Sequence, residues 1–372
     1  MDRIGSLRLW VVLAVLGAFF GPSPQGAGAA TTCTFTTAGT TMRLNADCVT
    51  DATILVPDGF TLDGAEHTIT AVDPPGDHFK GAIVRNGGAT AYVKKLTVKA
   101  AGLANVCDGG GDRLRGIMFE GASGSIAHNR VLNINQGASG CQEGNGIEVR
   151  NAPFDGTHPA TKAVQISHNK VTNYQKTGIV MNGDVSGTIE KNDVRGAGPV
   201  NYIAQNGIQV GFGAVGTVKE NKVSGNWYSG DFWTSAGILD FSATAVIEEN
   251  HSSGDQAGIY IFGSGNRVEE NKVGEGSPSY WGVILFGDAN RAEENKVTCV
   301  SIGVDVYGNN NRVEENRIGG KSQSALCDVG ILLEKDAGVG TDNVLDENKF
   351  KHVVQTVVDP APVTPRAAPA LD

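Results

Sequence analysis

Residues 258–273 read GIYIFGSGNRVEENKV, and both halves of this stretch recur along the chain. A Gly-Ile or Gly-Val step stands at Gly116, Gly146, Gly178, Gly207, Gly237, Gly258, Gly282, Gly303 and Gly330. Each is followed by an apolar-x-x-Asn-x-apolar phrase, clearest at Val268 to Val273 and Val313 to Ile318. Its Asn falls at positions 129, 169, 192, 221, 250, 271, 295, 316 and 348. The offset from Gly to Asn is 13 residues in five repeats and 14 in two. Short β-phrases that return every 21 to 32 residues describe a solenoid with one coil per repeat.

With Gly as position zero, position +1 is Ile or Val in all nine repeats. Position +3 reads Phe119, Val149, Met181, Val210, Asp240, Ile261, Leu285, Val306 and Leu333, with Asp240 the one polar member. Residues two apart on a strand share a face, so both columns are expected inside, stacked coil on coil. β-Branched residues suit such a surface. The Asn column is expected in a turn, where its side chains bond to backbone and to one another. Asn250-His251-Ser252 has the form of a glycosylation sequon, but its Asn belongs to this ladder. The flanking charges, as in Glu270/Lys272, Glu294/Lys296 and Glu315/Arg317, read as a solvated, charge-balanced edge.

Residues 1–29 read as a secretory signal: Arg3 and Arg8, an apolar run from Leu9 to Phe20 too short for a membrane span, and the small residues Ala27-Gly28-Ala29. Residues 30–358 form the solenoid domain, and the Pro/Ala-rich 359–372 are expected to be a disordered tail. Six cysteines in an exported chain should pair. Coil stacking favours Cys33–Cys48, Cys107–Cys141 and Cys299–Cys327; Cys299 and Cys327 lie four and three residues before Gly303 and Gly330, and Cys107 and Cys141 likewise precede Gly116 and Gly146. No CxxC or HxxxH spacing supports a metal site, and calcium is the one cofactor left open. The net charge of −10 argues against nucleic acid and against an anionic membrane as partners and, where no local basic cleft overrides it, against a large polyanionic substrate.

The Gly-Ile-x-Val and Val-x-x-Asn-x-Val phrases resemble the repeats of right-handed parallel β-helix proteins in the pectate-lyase-like superfamily, above all its NosD-like and carbohydrate-binding group. The segment ILVPDGFTLDG, Ile54 to Gly64, is similar to the entry coil of such proteins. The resemblance covers residues 52–350 and implies an all-β, right-handed parallel β-helix of about ten coils. The superfamily includes lyases, hydrolases, epimerases and non-catalytic binders, so it implies an extracellular polysaccharide as partner without naming an activity. A polygalacturonase-type aspartate pair followed by Gly-His-Gly is missing, as is the arginine and calcium-aspartate set of pectate lyases. Asp73-Pro74-Pro75 and Asp77-His78 only approach an epimerase-type Asp-Pro-His-Asp. Two readings stand: a secreted protein that binds and processes a polysaccharide, or a non-catalytic protein of a cell surface or matrix.

Positions +2 and +4 are expected to point outward. They are mostly polar in the first four coils: Met118/Glu120, Glu148/Arg150, Val180/Asn182 and Gln209/Gly211. In the next four they turn apolar and aromatic: Leu239/Phe241, Tyr260/Phe262, Ile284/Phe286 and Asp305/Tyr307. So large an apolar stripe calls for a cover. Aromatic stacking at the strand ends, a homo-oligomer contact, and a sugar platform that includes Tyr260 and Phe262 each account for it. Glu120 and Glu148 fall on successive coils with Cα atoms about 8 Å apart, a spacing that suits a catalytic carboxylate pair. Arg150 lies beside both and could hold a substrate carboxylate, although a cross-strand salt bridge explains the same three residues.

Loop 224–236 carries Trp227, Tyr228, Phe232 and Trp233, either as substrate contacts or tucked against the flank of the coils. His128 and His168, each before a ladder Asn, are expected to stack, as a general base or half a metal site or as plain turn residues. Asp108, Asp112, Arg113 and Arg115 form a further polar cluster in a Gly-rich stretch. The expected site is therefore a groove on the polar half of the Gly-Ile face. Its catalytic candidates are Glu120, Glu148 and Arg150, and its substrate contacts are Trp227, Tyr228, Trp233, Tyr260 and Phe262.

Overall fold

The computed structural model describes residues 31–151, 160–242, 244–335 and 340–359. The expected signal and the tail beyond Asp359 lie outside the described residues. Each coil contributes three strands. In the coil of Gly258 these are Ala257–Phe262, Arg267–Glu269 before the ladder Asn, and Lys272–Val273 after it. Successive coils pair in parallel and in register on all three faces, as Ile259 with Val283, Val268 with Ala292, and Val273 with Val297.

The chain is a parallel β-helix with more coils than the expected ten. One sheet has 13 strands, and its first, Phe35–Ala38, runs antiparallel to Thr41–Leu44, which leaves twelve parallel rungs. The additional coils keep the inward column without its glycine. Ile54 and Val84 precede Ile117 in register, and Val357 follows Ile331. Both inward columns are dry: Ile117, Ile238, Ile259, Val149 and Val210 are fully buried, and so is Asp240.

The glycine column has a packing cause. A Cβ added at Gly258 would sit 2.1 Å from Val273 Cγ1 and 2.8 Å from the Gly282 carbonyl oxygen. Position zero therefore faces inward, against the third strand of its own coil. Position +1 faces inward as well, so the alternation slips by one at the glycine. The ladder pairs Arg115 with Asn145 and then Ile117 with Ile147, passing over the glycine. The residue before each glycine thereby joins +2 and +4 on the outer face.

The Asn ladder forms as expected. Asn271 Oδ1 accepts from the backbone N–H of Asn250 at 2.9 Å and from its Nδ2 at 3.0 Å. Asn271 Nδ2 donates to the Ile247 carbonyl at 2.8 Å and to Asn295 Oδ1 at 3.0 Å. The residue before the Asn takes positive φ, 57° at His168 and 54° at Glu270, which turns the corner. Asn250 is buried in the ladder, which leaves its sequon no room for a glycan. A second ladder, not anticipated, lines another corner: the N–H groups of Asn266, Asn290 and Asn311 donate to Oδ1 of Asn290, Asn311 and Asn343. His128 and His168 stack with ring centroids 4.8 Å apart. The three expected disulfides are all present. Among the described residues no helix is long and apolar enough to cross a membrane.

Candidate functional site

Between the coils of Gly116 and Gly258, the arms that lead into the Gly-Ile strands are long. Residues 133–144, 201–205 and 229–235 rise beside the outer face and wall a cavity of about 520 Å³. Its floor takes Arg115, Asn145, Thr177 and Asn206 from the position before the glycine. Positions +2 and +4 add Glu148, Gln209, Arg150 and Asn182 at one end and Leu239, Phe241, Tyr260 and Phe262 at the other. The outer face is less bare than alternation implies: Met118, Glu148 and Val180 are almost wholly buried.

At the polar end, Glu148 Oε2 accepts from Arg115 Nε at 2.6 Å and from Asn145 Nδ2 at 2.8 Å. Arg150 Nη1 stands 3.7 Å from Glu148 Oε1. Arg115 also donates from Nη1 to the Arg113 carbonyl at 2.7 Å and from Nη2 to the Gly110 carbonyl at 3.1 Å, which fixes the Gly-rich stretch to the floor. Glu120 pairs in register with Arg150 and accepts from its Nη2 at 2.9 Å and its Nε at 3.2 Å. Arg85 Nη2 reaches the other Glu120 oxygen at 3.1 Å. Glu120 is thus tied to Arg150 just beyond the cavity lining, and both expected catalytic carboxylates carry guanidinium partners.

Lys176 is the functional candidate that sequence reasoning missed. It lines the cavity and donates from Nζ to the Ala204 carbonyl at 3.1 Å. Burial, and then the nearby charge of Arg113, bring its ammonium down to about 8. Its charge therefore changes near neutrality. The cavity as a whole sets Arg113, Arg115, Arg150 and Lys176 against the single carboxylate of Glu148.

Of the expected aromatic contacts, Tyr228, Trp233, Tyr260 and Phe262 line the cavity together with Tyr202. Trp227 is not part of this lining. It belongs with Tyr228 to the strand Lys222–Tyr228, where it pairs with Pro199, so the loop begins only after Tyr228. Phe232 stands 82% exposed on that loop. Farther along, Phe262, Phe286 and Tyr307 stack with centroids 4.9 and 4.5 Å apart and planes within 14° and 9°. Rings stacked along the axis cover one another's faces and turn edges outward, whereas a pyranose needs a free face. This geometry favours a stacked strand-end ladder over a sugar platform beyond Phe262. Among the described residues no group of three His, Cys, Asp or Glu side chains converges as a metal site would.

A model of the right handed beta helix region matches residues 156–350, more than half of the chain. No curated protein sequence matches it. Among solved structures, the chain is similar to the Dettilon tailspike protein, with TM-score 0.55 and 14% identity over 85% of this chain and 61% of that one. It is similar to the periplasmic alginate epimerase AlgG, with TM-score 0.54 and 12% identity over 85% of both chains. It is also similar to the A-module of the mannuronan C-5 epimerase AlgE4 of Azotobacter vinelandii, with TM-score 0.51 and 14% identity over 88% and 89%. The chain thus spans 61% of the tailspike's length. At such identities the likeness is one of fold.

Proposed function

The chain belongs to the right-handed β-helix family, and from that premise we propose that it binds an anionic polysaccharide across the cleft of its Gly-Ile face, outside the cytoplasm. The observation that carries this reading is a local inversion of charge. A chain of net charge −10 lines one cavity with three guanidinium groups and an amine against one carboxylate. A cleft of one sign with apolar walls focuses field and raises the local concentration of the opposite charge. Arg113, Arg150 and Lys176 meet the acid groups of the ligand, and Asn145, Asn182, Asn206 and Gln209 meet its hydroxyls. Tyr228 and Trp233 offer stacking surface from the wall. Six cysteines joined in three disulfides support an oxidising compartment.

Glu120, Glu148 and Arg150 stay in the site with a changed division of labour. The two carboxylates hold Arg150 and Arg115 in place, and Arg150 faces the ligand. This saturation favours the binding reading over glycosidic acid–base chemistry, which needs a carboxyl group free to exchange a proton. Incubation should accordingly leave the length and sugar configuration of a bound polymer unchanged. Shortened or epimerised product lost in Glu148→Gln would restore the catalytic reading.

The binding test is calorimetric titration with a polyuronate oligosaccharide. Arg150→Gln and Trp233→Ala should each weaken binding by about tenfold, roughly 1.4 kcal/mol. Raising the salt should weaken the parent and leave Arg150→Gln less affected. A calcium bridge would need carboxylate donors turned to the ligand, and Glu148 is held by Arg115 and Asn145, so affinity should survive chelator. Unchanged affinity in both variants would move the site elsewhere.

A further inference from the structure

The floor of the cleft changes character within one rung. On the coil of Gly207 the outward positions hold Asn206 and Gln209, and in register on the next coil stand Ala236 and Leu239. At the third outward position Asn182 is followed by Gly211 and then by Phe241. Charge follows the same division. Arg113, Arg115, Glu148, Arg150 and Lys176 belong to the coils up to Gly178, and among the described residues none that lines the cavity beyond them is charged. Ala236, Ala257 and Tyr260 form instead a small apolar cluster on the outer face, with Leu239 and Phe262 packed against it. One cavity spans this boundary, so a ligand that fills it meets cations at one end and hydrocarbon about 10 Å, or two rungs, farther along.

The apolar end is shaped and not merely bare. Phe241 pairs in register with Gly211, and a Cβ at position 211 would sit 2.2, 2.4 and 2.6 Å from three carbons of the Phe241 ring. The ring therefore fills the space of a missing side chain and leans back toward the cationic end. Phe212 meets it edge-on, with centroids 4.8 Å apart and planes at 86°. Beneath this floor Asp240 faces inward, fully buried, and its carboxyl, raised by burial to about 6, is ionised at neutral pH. Its field opposes an acid group placed on the floor above it. The wall beside it includes Tyr228 and Thr234, each with a hydroxyl. A hydrocarbon chain would leave such hydroxyls unpaired, whereas a sugar ring turns C–H groups to the floor and its own hydroxyls to the wall.

Resting on the binding reading above, we propose that the cleft takes an acidic heteropolysaccharide: Arg113, Arg150 and Lys176 hold a uronate residue, and an uncharged sugar of the same chain sits on Leu239 and Phe241. A chain of uronates alone would set a carboxylate on Phe241, away from every cation of the cleft and above Asp240, where its desolvation goes uncompensated. The change of floor thus selects the order of charged and uncharged sugars, and the cations alone would not.

Calorimetric titration with two octasaccharides tests this, one of uronate alone and one in which glucuronate alternates with N-acetylglucosamine. The alternating chain should bind about fivefold tighter, although it carries half the carboxylates. In Phe241→Ala, and in Gly211→Ala, whose methyl group displaces the Phe241 ring, the ratio of the two affinities should fall to about one. Equal or tighter binding of the uronate homopolymer by the parent would overturn the proposal and leave the cationic cleft standing as an anion site. A ratio that persists in both variants would also overturn it, because the apolar floor would then have no part in the choice. Binding of neither chain would overturn the heteropolysaccharide and the anionic-polysaccharide reading together.

Discussion

Lys176 shows how a single residue acquires a role that no motif announces. It lies two places before Gly178, and nothing around it in sequence distinguishes it from a solvated lysine. The wall at 201–205 makes it special by taking its ammonium against the Ala204 carbonyl and away from water. Its ammonium titrates at about 8, so affinity for an anionic chain should fall as pH rises through that value. Lys176→Arg should remove this fall, because a guanidinium stays charged. Equal pH dependence in parent and variant would assign the titration to another group.

Asp240 makes the opposite case, since its oddity was legible. It breaks an apolar column, and burial raises its carboxyl from 3.8 to about 6 against the lowering effect of its bonds to Ser242. The folded state therefore holds the proton more tightly than the unfolded one. Stability falls as pH rises from about 4 to about 6, and the penalty is fully present above that window, on the order of 3 kcal/mol. Asp240→Asn keeps the acceptor for Ser242 and removes the charge. It should raise the stability measured by urea unfolding above pH 6 and flatten that part of the profile. An unaltered profile would place the carboxylate in contact with water.

At the scale of the element, the coil was readable because each column has one dominant task. The inward Ile and the ladder Asn recur, since each stacks on its own kind one rung away. Asn271→Ala would leave the N–H of Asn250 without its acceptor in a buried turn and remove the donor to the Ile247 carbonyl, at a cost of about 1–3 kcal/mol. Gly258→Ala would force a methyl group against Val273 Cγ1, and overpacking of this kind costs about 1–3 kcal/mol. Thermal unfolding of the two variants checks both figures, and a loss below 0.5 kcal/mol in either would contradict the packing described. The same glycine explains what alternation misjudged. Strict alternation counted back from position +1 would put the residue before the glycine inside, yet Asn145 and Asn206 stand on the cavity floor. The second ladder carries a signal in the sequence as well: Asn266, Asn290, Asn311 and Asn343 each stand five residues before a member of the first, three of them opening the phrase Asn-Arg-apolar-Glu-Glu-Asn.

At the scale of the whole molecule, architecture was visible in the chain because a solenoid is the sum of near-identical neighbours. The cleft was visible only in part. Glu148, Arg150 and Trp233 were singled out, but whether a carboxylate is free or held depends on Arg115, which reaches it from the preceding coil. Overall charge misleads in the same way, since −10 describes the chain and not the cavity. If a cationic cleft in an acidic protein recognises acid groups on a sugar chain, those groups should carry the affinity. The most direct measurement compares one polyuronate oligosaccharide with its carboxyl-reduced form, equal in length and linkage, by calorimetric titration against the same protein. Reducing the carboxylates should weaken binding by at least tenfold, about 1.4 kcal/mol, and remove its salt dependence. Equal affinity for the two chains would contradict it.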